Sequence, residues 1–108
     1  MRKIIAYKGY YSDFMSRLSD QERKKIRHAL LLLETEDKVP NHYIKFIRNG
    51  IYEFRVNYGN NEFRLLFTYD GDTIVILFNC FRKKTQKTPN SEIEKAPKLK
   101  KEYHEQKE

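Results

Sequence analysis

The sequence lacks the features that identify several classes of small protein. One cysteine, Cys80, excludes an internal disulfide and predicts a buried thiol in a reducing compartment. No apolar run approaches the roughly 18–20 residues of a membrane span. The N-terminal stretch MRKIIAYKGYY is too polar for a signal peptide. These absences predict a cytoplasmic protein that does not insert into a membrane.

The spacings of the common catalytic motifs are also absent. The sequence has no cysteine or histidine pairs at metal-ligand spacing, no glycine-rich phosphate loop and no nucleophile elbow. No metal or cofactor is therefore predicted. The three histidines lie far apart in the chain. His28 and His42 are predicted to be structural or idle, whereas a terminal helix folding back can bring His104 near a site.

What the chain has in excess is positive charge. Its formal net charge is +7 and its pI is about 9.5, which predicts attraction to RNA, DNA, an anionic membrane or an acidic protein. With 39% hydrophobic and 34% charged residues, the 108 residues predict one globular domain, 1–108.

Hydrophobic spacing predicts an α+β fold. A helix over 20–36 is indicated by the capping-box pair Ser19 and Glu22, followed by apolar residues at helical spacing. The rest of the chain predicts a strand at 3–7, a short helix from Ser12, a loop over 35–50, strands at 51–58, 62–69 and 73–81, and a C-terminal helix opening at Thr88-Pro89. We expect an antiparallel meander with helices on one face and a kink or restart at Pro97.

Alternation in these strands predicts a basic surface. Arg55 and Arg64 fall on the face opposite the apolar residues, with Glu53 and Glu62 as expected cross-strand partners. Four more cations follow the last strand within six positions and can converge with them on a concavity that binds phosphate: Arg82, Lys83, Lys84 and Lys87. Tyr52 or Tyr58 at the strand edges can stack on a base. The alternatives are a solvated, salt-bridged sheet face and a basic flank that protects an aggregation-prone strand.

Four segments resemble the phage-derived Gp49-like, HigB-type toxins of the RelE/ParE superfamily. They are GIYEFR (50–55), FRL (63–65), FRKKTQKTP (81–89) and SEIEKA (91–96). The resemblance spans most of residues 3–105. It implies a RelE-like fold with an N-terminal strand and two helices, a curved antiparallel meander and a C-terminal helix.

The same resemblance implies the toxin of a type II toxin–antitoxin system that cuts mRNA, usually on the ribosome. Such enzymes use no metal: the ribose 2′-OH attacks the adjacent phosphate. The resemblance implies phosphate and transition-state roles for Arg55, Arg64 and Arg82. It implies substrate binding or proton transfer for Lys83 and Lys84, and an acid or base role for His104. Lys87 and Tyr58 are expected to bind RNA, and the expected partner is a helix-turn-helix antitoxin.

Two other functions stay open on this scaffold. One is a ParE-like inhibitor that poisons DNA gyrase through protein binding, and the other is a basic nucleic-acid-binding module without catalysis. A nuclease needs Arg55, Arg64 and the cations at 82–84 on one concave surface, whereas a gyrase inhibitor does not.

Overall fold

The computed structural model describes residues 1–84 and 89–107. Its elements in chain order are β1 (Lys3–Ala6), α1 (Tyr10–Ser16), α2 (Asp20–Thr35), a short 3-10 helix (Asn41–Tyr43), β2 (Ile44–Arg48), β3 (Ile51–Tyr58), β4 (Asn61–Asp70), β5 (Ile74–Lys83) and α3 (Asn90–Lys107). The predicted α+β class is confirmed. None of the helices in the described ranges is long and apolar enough to cross a membrane.

The five strands form one sheet in the order β1-β5-β4-β3-β2. Strands β2 to β5 are an antiparallel meander, but β1 pairs with β5 in parallel, so the sheet is mixed rather than wholly antiparallel. The predicted loop over 35–50 is wrong in its second half, where β2 lies. Asn49 and Gly50 both have positive φ (53° and 73°), the backbone that a two-residue hairpin turn requires.

Helix α2 begins and packs as its sequence predicts. The Ser19 hydroxyl accepts from the Glu22 backbone N–H at 3.2 Å, and the Glu22 carboxylate accepts from the Ser19 N–H at 2.9 Å. This reciprocal cap satisfies two backbone donors that the helix itself leaves unpaired. Ile26 and Leu33 on its apolar face are fully buried.

The helices cover both faces of the sheet, so the prediction of helices on one face is wrong. α1 and α2 pack against one face, where Leu65 and Cys80 lie. α3 packs with Ala96 and Leu99 against the other face, where Leu66 lies. The predicted buried thiol is confirmed, and burial raises the pKa of Cys80 far above its usual range.

The sequence predicts a kink or a restart at Pro97. Helix α3 is continuous through this residue, so the predicted restart is wrong. The helix begins at Asn90, and the carbonyl of Pro89 accepts from the N–H groups of Glu92 and Ile93, so Pro89 precedes the first turn. The predicted cap at Thr88 lies outside the described residues.

Two carboxylates attach α3 to the sheet. Asp70, at the end of β4, accepts from the Tyr103 hydroxyl at 2.7 Å and from Lys107 Nζ at 2.6 Å. Glu102 accepts from the Tyr7 hydroxyl at 2.7 Å and pairs with Lys8. Lys107, and then the Tyr103 hydroxyl, lower the pKa of Asp70, while Lys8 and then Tyr7 lower that of Glu102.

Acid is therefore expected to weaken the attachment of α3. A carboxylate whose pKa is lower in the folded chain stabilises it above the unfolded pKa, and this stabilisation is lost as pH falls through the folded value. For Asp70 and Glu102 the loss of this stabilisation begins at about pH 4. Urea unfolding from pH 7 to pH 3 should show a steeper loss in the wild type than in an Asp70→Asn, Glu102→Gln double variant. Parallel curves would contradict this role.

Candidate functional site

Three of the predicted site cations share one face of the sheet. Arg55 is directly opposite Arg64 in the β3–β4 register, and Lys83 is opposite Glu62 in the β4–β5 register. Side chains two residues apart on a strand point to the same side, so Glu62 and Arg64 share a face. The structure therefore brings Arg55, Arg64 and Lys83 together on the side that the strand alternation predicts.

The two arginines differ sharply in accessibility. Arg64 is 1% exposed, and its guanidinium donates to the Phe63 carbonyl at 2.9 Å and to Glu62 Oε1 at 3.0 Å. The Arg55 side chain is 36% exposed. Buried Glu53 lies between them, with Oε1 3.5 Å from Arg64 Nε and 3.6 Å from Arg55 Nε. Its negative charge offsets the repulsion between cations placed directly across two strands.

The two expected carboxylate partners are therefore present, but only one bridges strands. Glu53 on β3 pairs with Arg64 on β4, whereas Glu62 pairs with Arg64 along the same strand. Arg64 is thus held from two directions, which fixes its guanidinium beneath the surface.

A depression of about 400 Å³ opens at the free edge of β3, next to Arg55. The β2–β3 register ends at the pair Ile44 and Phe54, so the later residues of β3 have no described strand on that side. The depression is lined by Lys25, His42, Tyr43, Arg55, Asn57, Glu62 and Arg64. It combines three cations with an imidazole and a carboxylate.

His42, which the sequence predicts to be structural or idle, lies in this depression. His42 is on the 3-10 helix that leads into β2. Its ring lies 4.2 Å from the Tyr43 ring, which in turn stacks on Phe54 at 5.6 Å and 16°. This stack fixes an exposed imidazole beside Arg55. The clue available in the sequence was the Asn49-Gly50 turn, which indicates a strand before it and so places His42 next to β3.

Arg82 lies on the opposite face, so the prediction that it shares a surface with Arg55 and Arg64 is wrong. It is paired with Phe63 in the register, its guanidinium carbon is 5.4 Å from the Phe63 ring centroid, and its Nη2 is 3.3 Å from Glu22 Oε2. Lys84 lines the same cleft as Arg82. The backbone N–H of Ser19 lowers the pKa of Glu22, and Arg82 adds to this effect.

His104 is far from the arginine pair, so the structure does not bring it to the predicted surface. It lies near Asn49 and Lys100, at the end of the sheet where neighbouring Tyr103 bonds Asp70. Asp70 and Arg64 are six residues apart on β4, which corresponds to about 20 Å.

Of the two expected RNA-binding residues beyond Lys83, Tyr58 lies on the other face of the sheet. Tyr58 is 40% exposed, but it alternates with Phe54 and Val56 and so belongs to the face of α1 and α2. Lys87 lies outside the described residues.

The fold and the site define a small, basic α+β protein with cationic clefts at one end of its sheet. Residues 13–101 match the family model of phage-derived Gp49-like proteins. The chain therefore belongs to the Gp49-like family, which is associated with the toxins of toxin–antitoxin systems. Membership in this toxin-like family implies an antitoxin partner. No curated protein matches the sequence significantly.

Proposed function

We propose that this chain is a toxin that cuts mRNA on the ribosome without a metal ion. The observation that carries the proposal is the depression beside β3, in which Arg55, Arg64 and His42 meet. Cations that stabilise a phosphate and an imidazole that transfers a proton are what phosphodiester cleavage by a 2′-OH requires.

In the proposed reaction the 2′-oxygen attacks the adjacent phosphorus in line. The P–O5′ bond breaks, and the products are a 2′,3′-cyclic phosphate and a free 5′-OH. One group accepts the proton of the 2′-OH and another protonates the leaving 5′-oxygen. His42 is the proposed proton carrier, and Glu62, whose side chain is 45% exposed in the same depression, is the second group.

The cations have separate tasks in this reaction. Arg55 is accessible and contacts the phosphate, and Lys25 at the rim adds positive charge. Arg64 is buried, so it holds Glu62 and adds to the field rather than binding the phosphate directly. Lys83 extends the basic face towards β5 and guides the RNA strand. The ribosome supplies the alignment of mRNA that a shallow depression does not.

The proposed antitoxin is an acidic helix-turn-helix protein that silences the toxin in the cytoplasm of the producing cell. The net charge of +7 favours an acidic partner and raises the rate at which the two meet. Whether the adjacent reading frame encodes such a protein is a direct check.

Mapping RNA ends in a purified translation reaction tests the activity. The wild-type chain should give 5′-OH ends and 2′,3′-cyclic phosphates, and a 2′-deoxy substitution at the cleaved nucleotide should block the cut. Arg55→Gln should slow cleavage about 100-fold, the typical loss when one donor to a developing oxyanion is removed. Arg48→Gln is the matched control, because Arg48 is exposed and lies opposite Ile51, at the end of β2 away from Arg55. A second experiment expresses the wild-type chain in growing cells. Growth arrest with intact transcripts and broken DNA would favour gyrase inhibition instead.

A further inference from the structure

A second cleft lies on the other side of the same sheet end. It has a volume of about 570 Å³, within the range of small-molecule sites. β1 pairs with β5 only from Ile74 to Leu77, which leaves the later edge of β5 without a described strand. α1 and the start of α3 form the walls. The lining residues are Phe14, Arg17, Leu18, Cys80, Phe81, Arg82, Lys84, Pro89 and Glu92.

The cleft combines an apolar floor with a cationic rim. Phe14, Leu18 and Phe81 supply apolar surface, and Arg17 and Lys84 accompany Arg82 at the rim. Aromatic surface beside positive charge suits a nucleotide, whose base is apolar on its faces and whose phosphate is anionic. The carboxylate of Glu92 at the α3 wall repels phosphate, which favours placing the phosphate on the Arg82 side.

Arg82 is held in position before any ligand binds. Its guanidinium lies against the Phe63 ring and 3.3 Å from the Glu22 carboxylate, while 41% of its side chain stays exposed. A guanidinium has five N–H donors, so one ion pair leaves capacity for a phosphate. Glu22 is itself fixed by the Ser19 N–H at 2.9 Å and by Asn61 Nδ2 at 3.1 Å.

We propose that this cleft binds one nucleotide of the RNA strand, with its base against the apolar floor and its phosphate on Arg82, and that Glu22 positions Arg82 for this contact. The Arg55 depression lies at the edge of β3, and the cleft lies at the edge of β5, with β4 between these two strands. β3 and β5 are about 10 Å apart at this spacing. RNA crossing the sheet end can therefore reach both. The biological ligand rests on the proposed function, whereas mononucleotide binding does not.

Titration of the isotope-labelled chain with AMP, adenosine and inorganic phosphate, followed by NMR, tests this subsite. AMP should shift the amide signals of Leu18, Phe81 and Arg82, and it should bind at least five-fold more tightly than phosphate or adenosine alone. Arg82→Gln should raise the Kd for AMP at least five-fold. Arg48→Gln, which removes the same charge on β2, should change it less than two-fold.

Glu22→Gln separates positioning from folding. Glutamine also serves in a capping box, so the helix start is kept while the charge facing Arg82 is removed. The variant should keep the wild-type circular dichroism spectrum and raise the Kd for AMP at least three-fold. An unchanged Kd would contradict positioning by Glu22.

Two outcomes overturn the subsite. One is equal binding of phosphate and AMP, which indicates a simple anion site. The other is an equal Kd for the Arg82→Gln and Arg48→Gln variants. If mRNA is cut but AMP does not shift the cleft signals, the subsite is wrong and the nuclease stands. If AMP binds there and no mRNA is cut, the subsite stands and the proposed function is wrong.

Discussion

Arg64→Ala is expected to lower the free energy of unfolding by about 3–5 kcal/mol, the usual result of removing one partner of a buried ion pair. Arg64 is 1% exposed, and its Nε lies 3.5 Å from the buried carboxylate of Glu53. Without the guanidinium, the carboxylate loses a facing positive charge and a large cavity opens beside it. A loss of this size approaches the total stability of a small domain.

Arg55→Ala is the matched control because Arg55 is directly opposite on β3 and faces the same carboxylate at 3.6 Å. Its side chain is 36% exposed, so solvent screens its pairing with Glu53, and the loss should stay below about 1 kcal/mol. Urea unfolding at pH 7 gives both values. Equal losses from the two variants would show that burial of Arg64 does not determine its contribution.

A double variant identifies the source of the effect. Replacing Glu53 and Arg64 together by methionine removes both buried charges, and such replacements are often neutral or stabilising. We expect the double variant to be more stable than Arg64→Met, which has the same side chain at position 64 but keeps the Glu53 charge. If it is not more stable, the charge of Glu53 does not explain the loss.

This prediction changes how activity data should be interpreted. Loss of toxicity in Arg64→Ala does not identify a catalytic residue, because the unfolded fraction rises at the same time. Arg55→Gln is the better probe of chemistry, since Arg55 is accessible and lines the depression. The sequence alone did not separate these two arginines, because both alternate with apolar residues in the same way.

The elements with clear periodicity were predictable from local physics. The capping box at Ser19 and the helical spacing after it placed α2 within one residue of its observed end. Alternation in β3 and β4 correctly put Arg55 and Arg64 on a shared face, since successive side chains on a strand point to opposite sides.

The face of Arg82 could not be predicted because β5 contains an irregularity. The register shifts between the pairs Leu65–Cys80 and Phe67–Leu77, so β5 has one extra residue there. Such a bulge reverses which side chains face each side of the sheet beyond it. Between Leu77 and Cys80 the one polar residue is Asn79, which is buried and bonded to Glu92. A single polar residue in an otherwise apolar stretch gives no alternation that would reveal the change.

The candidate proton carrier was missed for a different reason. The position of His42 depends on a 3-10 helix and on the pairing of β2 with β3, which join parts of the chain through tertiary contacts. The expectation for His104 depended on a terminal helix reaching the arginines. α3 instead runs towards Asp70, because the Tyr103 and Lys107 contacts fix its end there.

His42→Ala is expected to slow mRNA cleavage by about 100-fold to 10,000-fold, the usual contribution of a positioned acid or base. Stability should change by less than about 0.5 kcal/mol, because the imidazole is exposed and packs on the surface of Tyr43. The variant should keep its affinity for RNA, because His42 is proposed to transfer a proton rather than to bind the strand.

His28→Ala is the matched control, because His28 is an exposed histidine on α2 outside the depression. The measurement is the single-turnover cleavage rate, with urea unfolding of each variant in parallel. His104→Ala distinguishes the two placements of the proton carrier. Suppose that the His104→Ala variant does not cleave mRNA and the His42→Ala variant does. The end of α3 must then move about 20 Å to reach the arginines, and the depression beside β3 is not the centre of the reaction. If both variants cleave normally, Lys25, Tyr43 and Glu62 become the remaining groups lining the depression that can transfer a proton.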